Sequence, residues 1–84
     1  MTDFVAALVR ERGVRFVVIS VRDSMISSSL AADQMIGAMS LRFQCPAVLM
    51  GATSHATRGR RDLAEFVAKI GPRRLPWRRW SAAA

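Results

Sequence analysis

The run Phe16-Val17-Val18-Ile19, continued by Ser20-Val21, is apolar without alternation, and three of its first four residues are β-branched. A run of this kind predicts a strand covered on both faces, as in a parallel sheet flanked by helices. A shorter run, Ala47-Val48-Leu49-Met50, is introduced by Pro46 and closed by Gly51. Between the two, Ala32, Met35, Ile36, Met39 and Phe43 follow i, i+3, i+4 spacing, which predicts a helix from Leu30 to Phe43. Strand, crossover helix and strand make a parallel βαβ unit spanning Val14 to Met50.

The flanking segments read as helices. Over residues 3–12, Phe4, Val5, Leu8 and Val9 form one apolar stripe, with Thr2 as N-cap and Gly13 as the C-terminal stop. Over Arg61 to Ile70, Leu63, Phe66, Val67 and Ile70 form another, ended by Gly71-Pro72. The expected fold is therefore a small three-layer α/β domain in the order αβαβα, over residues 1–71, around a two-stranded parallel core. Residues 72–84 are expected to be a separate, basic, Arg/Trp-rich C-terminal tail. Two strands leave both edges bare, and an edge strand as apolar as Phe16–Val21 invites pairing with a second copy. A two-fold homodimer is the simplest outcome.

Composition narrows the setting. At 84 residues the chain holds one domain. A single cysteine, Cys45, and a single histidine, His55, allow neither an intramolecular disulfide nor a structural zinc site, so no metal or cofactor is expected. Cys45, without a base placed beside it by local spacing, reads as an inert thiol. No apolar segment reaches the ~20 residues of a membrane span, and Thr2 to Gly13 is unlike a signal peptide; a cytoplasmic location fits. The net charge of +7 is uneven. Residues 1–57 carry five arginines against Asp3, Glu11, Asp23 and Asp33, whereas residues 58–84 carry seven arginines and Lys69 against Asp62 and Glu65. The arginine preference itself matches the alanine-rich composition of a GC-rich genome; the asymmetry is what points to an anionic partner, nucleic acid or a membrane surface.

Two constellations carry candidate chemistry. In a parallel βαβ unit both strands deliver their loops to one edge, where open α/β folds bind ligands. The first loop offers Asp23 and Ser27, Ser28 and Ser29; the second offers Thr53, Ser54, His55 and Thr57, followed by Arg58, Arg60 and Arg61. Arginines at a helix N-terminus oppose the helix dipole, which suggests that an anion sits among them. The plain alternative is that the hydroxyls cap and turn the chain while the arginines are solvated. Asp23, His55 and a serine also supply the residue types of a hydrolytic triad, so an enzyme acting on phosphates is a second reading. Neither strand is followed by a Walker-type or GxGxxG loop.

The other constellation is Arg73, Arg74, Trp77, Arg78, Arg79 and Trp80. Indoles can stack on unpaired bases while guanidinium groups neutralise phosphates, which favours single-stranded nucleic acid. The stretch Arg73–Trp80 is similar to Trp- and Arg-rich membrane-active peptides, so a membrane surface is a further possible partner. Alternatively the tryptophans fold back on the core. The strand–helix–strand core resembles that of restriction-like nucleases, but Val21-Arg22-Asp23-Ser24 supplies one carboxylate in place of their paired acids and lysine; metal-dependent cleavage is not expected. The sequence thus favours a non-catalytic nucleic-acid-binding or nucleoprotein accessory module. A phosphate-handling enzyme or enzyme subunit, and an inhibitor or assembly factor docking on an acidic protein, are the alternatives.

Overall fold

The unbroken apolar run becomes the middle of a sheet. In the computed structural model, which describes residues 3–81, Val14–Val21 (β2) pairs antiparallel with Asp3–Glu11 (β1) and parallel with Ala47–Gly51 (β3). Thr57–Gly59 (β4) and Trp77–Ser81 (β5) complete a five-stranded sheet in the order β4-β3-β2-β1-β5. The helices are Asp23–Ser27 (α1), Ser29–Phe43 (α2) and Arg61–Ile70 (α3), and a 3₁₀ turn at Pro72–Arg74 leads into β5. The protein is a small mixed α/β domain built on this sheet.

Alternate residues of β2 enter different clusters, which explains a run with no polar face. Phe16 and Val18 join Ala7, Val48 and Met50 beneath Leu63 and Val67 of α3. Val17 and Ile19 join Ala6, Ala47 and Leu49, against which Ala32, Met35, Ile36, Met39 and Phe43 of α2 pack. The methionines of α2 are thus core residues, and Phe16 to Ile19 are at most 1% exposed.

Three expectations are corrected. The segment expected as the first helix is β1. Phe4 to Val9 is apolar throughout, so its spacing fits a two-sided strand as well as a helix. What decides is the turn: Arg12 and Gly13 both have positive φ, 51° and 79°, the requirement of a two-residue type I′ hairpin. Glycine at that position serves a helix end and a hairpin equally. The expected cap, Thr2, lies outside the described residues.

The two-stranded core is likewise replaced by five strands. β2 has a partner on each side, so the bare edge that motivated a strand-paired dimer belongs to other residues. Lastly, the stretch expected to hang from residue 72 onward is, over 77–81, an edge strand paired with β1 from Asp3↔Ser81 to Ala7↔Trp77. The element order accordingly begins with a hairpin and ends with a strand, instead of running αβαβα.

Candidate nucleic-acid interface

The segments at the carboxyl ends of β2 and β3 do meet and hold each other, but the first, expected as a loop, is the short helix α1, which Asp23 opens. Asp23 Oδ1 accepts from the backbone N–H groups of Thr53 (3.2 Å) and Ser54 (3.1 Å) and from the Ser54 hydroxyl (3.1 Å). These bonds, the Ser54 backbone first, hold the Asp23 carboxyl below its ordinary value of 3.8. The Ser54 hydroxyl also accepts from the Ala56 N–H at 3.2 Å, so it is committed on both sides. Gly51 lies directly under this clasp. A Cβ there would stand 2.5 Å from Asp23 Oδ1 and 2.6 Å from Ser54 Oγ, which is why the position is glycine.

Other hydroxyls are also occupied locally. Ser27 Oγ donates to the Ser24 carbonyl (3.0 Å), and Thr57 Oγ1 donates to the Ala64 carbonyl (3.2 Å), tying β4 to α3. Ser28 stands at the N-cap position of α2 but makes no side-chain cap bond, and Ser29 opens that helix. His55 has a left-handed backbone (φ 59°), and no hydrogen bond joins its ring to Asp23 among the described residues. Asp23 and Ser54 therefore form a clasp between the two segments, with the serine hydroxyl turned to the aspartate instead of His55.

The arginines near α3 each have a carboxylate neighbour. Arg60 meets the Asp62 carboxylate through two nitrogens, at 2.8 and 3.0 Å, and holds that carboxyl below its ordinary value. Arg61 reaches Glu65 at 3.4 Å, and Arg58 approaches Asp33 at 4.0 Å. The sequence suggests an external anion among these cations; within the protein, Asp62 and Glu65 of α3 and Asp33 of α2 partly offset their charge.

The basic residues of the C-terminal stretch are arranged differently. Arg73, Arg74, Arg78 and Arg79 are exposed, and none has a carboxylate partner among the described residues. Arg73 and Arg74 lie in the 3₁₀ turn, fastened to β5 by the Trp77 indole N–H, which donates to the Pro72 carbonyl at 2.8 Å. Arg78 and Arg79 are adjacent in a strand, so they project from opposite faces of the sheet. The same alternation separates the tryptophans. Trp77 packs with the α3-side cluster. Trp80 packs with the α2-side cluster, edge-on to Phe43 at a centroid distance of 5.0 Å, and its indole N–H donates to the Ala6 carbonyl at 3.3 Å. Both are half-buried. The tryptophans fasten the edge strand, and the arginines between them face solvent.

Two clefts open on the α3 side. The larger, about 420 Å³, is lined by Glu11, Asp62 and Glu65 besides Arg12 and Lys69, and its carboxylates disfavour phosphate. The smaller, about 330 Å³, lies between the loop after β3 and the start of β5. Its lining includes Val5, Ser20, Met50, His55, Pro72 and Trp77. Sequence reasoning passed over Ser20, a hydroxyl inside an otherwise apolar strand; that single interruption was the available signal.

Elsewhere, Cys45 is half-buried, and desolvation pushes its thiol up, in keeping with an inert side chain. No group of His, Cys, Asp and Glu among the described residues is arranged to hold a metal ion. No helix among them is long and apolar enough to cross a membrane. Comparison with protein-family models, with curated proteins and with solved structures finds no match.

Proposed function

We propose that the protein is a non-catalytic nucleic-acid-binding or nucleoprotein accessory module that takes the phosphate backbone of a single strand along β5 and the adjoining 3₁₀ turn. The observation that carries this reading is the contrast between paired and unpaired cations. Arg58, Arg60 and Arg61 have acidic neighbours within 4.0 Å. Arg73, Arg74, Arg78 and Arg79, crowded into seven residues at one sheet edge, do not. Unpaired guanidinium groups along one edge favour a polyanion that releases its own counterions on binding.

The edge geometry supports a single strand over a duplex. Cations on both faces of an edge suit a flexible chain that can wrap it, whereas a duplex, stiff over about 150 base pairs, meets one side at a time. The same alternation weighs against a membrane surface, because the indoles of Trp77 and Trp80 do not share a face. An enzyme built on the two loops has less support, since the Ser54 hydroxyl is bound to Asp23 and to Ala56.

The test is a titration of single-stranded oligonucleotide against three proteins: wild type, the variant with Arg73, Arg74, Arg78 and Arg79 all changed to Gln, and Arg60→Gln/Arg61→Gln. The first variant should lose about tenfold or more in affinity at low salt, and the second should stay near wild type. Equal affinity for all three would overturn the assignment of the surface. Binding to an acidic protein without any binding to nucleic acid would replace the reading by an inhibitor or assembly role.

A further inference from the structure

We infer that the smaller cleft receives one unpaired base of the bound strand, with its sugar-phosphate held outside by Arg79; this rests on the proposed nucleic-acid reading and names what the cleft adds to it. The floor of the cleft is a row across the sheet. Met50, Ser20 and Val5 are register partners on β3, β2 and β1, and the next residue in that row is Arg79 of β5. Directly opposed residues of an antiparallel pair have Cβ atoms about 5 Å apart, so the Arg79 side chain leaves the sheet beside Val5, on the face that carries the cleft. Pro72, beside Trp77, forms part of the wall toward the 3₁₀ turn. Arg73 and Arg74 follow Pro72 directly in the 3₁₀ turn.

The interior fits a base better than a bare anion. Val5, Met50, Pro72 and Trp77 give it an apolar, partly aromatic lining, while Ser20 and His55 are the polar side chains that line it. Neither the Ser20 hydroxyl nor the His55 ring has a hydrogen-bond partner among the described residues, whereas the hydroxyls of Ser54 and Thr57 are engaged and that of Thr53 is not. A volume of about 330 Å³ lies at the lower end of ligand pockets, which start near 300 Å³. A planar heterocycle offers an apolar face to Trp77 and hydrogen-bonding edges to the hydroxyl and imidazole, and such bases are available only in an unpaired strand.

Binding of a short oligothymidylate is compared with that of an abasic strand of the same length and phosphate count, in wild type, His55→Gly and Ser20→Ala. Glycine suits the positive φ at position 55, so that variant removes the ring without backbone cost. The oligothymidylate should bind about tenfold tighter than the abasic strand to wild type. Both variants should narrow that ratio and leave affinity for the abasic strand unchanged. In a Trp80→Phe background, fluorescence of Trp77 should be quenched by the oligothymidylate alone; should that variant fail to fold, the affinity ratio decides by itself. Equal, salt-dependent affinity for both strands would overturn the base site and leave the phosphate-binding proposal standing. No binding of either strand would overturn both.

Discussion

Asp23 illustrates how a candidate catalytic residue can be a structural one. Its carboxylate gathers three donors from the loop after β3, which fixes the separation of the two loops and therefore one wall of the smaller cleft. Gly51→Ala should dislodge the clasp, at about 1–3 kcal/mol for overpacking, measurable as a drop in the denaturation midpoint. The carboxyl titrates below its ordinary 3.8 in the folded protein. Its stabilising contribution is therefore present above that value and lost as pH falls through the lower, folded one. Wild type should be more stable than Asp23→Asn near neutrality, and the gap should close below pH 3.8. A gap independent of pH would show that charge plays no part. The sequence placed Asp23, Ser54 and His55 on neighbouring loops, because two parallel strands deliver their ends together. It could not show that the serine hydroxyl faces the aspartate, since that depends on backbone N–H groups which residue types do not reveal.

Among the elements, α3 was legible because its apolar stripe lies on one side only: Leu63, Phe66, Val67 and Ile70 all lie in or against the α3-side cluster. α2 was legible from Ala32, Met35, Ile36, Met39 and Phe43 at helical spacing, although Leu30 and Leu41 stand exposed. Phe66→Ala should cost about 2–5 kcal/mol by chemical denaturation, whereas Arg61→Ala, removing an exposed guanidinium from a helix N-terminus, should be neutral or slightly stabilising. β1 and β5 were not legible, for different reasons. β1 is apolar on both sides, and its hairpin glycine mimics a helix stop. β5, Trp-Arg-Arg-Trp-Ser, has no apolar periodicity of two, because an edge strand whose indoles go to opposite faces puts arginines on both. Its identity lies in pairing with β1, seventy-odd residues away, as in the Trp80–Ala6 hydrogen bond. Trp80→Ala should consequently destabilise the domain by about 2–4 kcal/mol, somewhat less than a fully buried tryptophan. A folded, equally stable variant that had lost nucleic-acid affinity would instead make the indole a contact residue.

At the scale of the whole molecule, the net charge is +7; the arginines around α3 close ion pairs, four arginines face water along β5 and the adjoining turn, and Arg10, Arg12, Arg15 and Arg22 are exposed elsewhere. Arg73, Arg74, Arg78 and Arg79 are the set that falls within seven residues at one sheet edge, and the proposed function requires that this edge bind a polyanion electrostatically. The most direct measurement is the affinity of the wild-type protein for a single strand as a function of salt. With about four phosphate contacts, each contributing roughly −0.7 on a single strand, log K should fall against log salt with a slope near −3. Changing Arg73, Arg74, Arg78 and Arg79 together to Gln should bring the slope close to zero. A wild-type slope near zero, or a steep slope unchanged by those four substitutions, would contradict it.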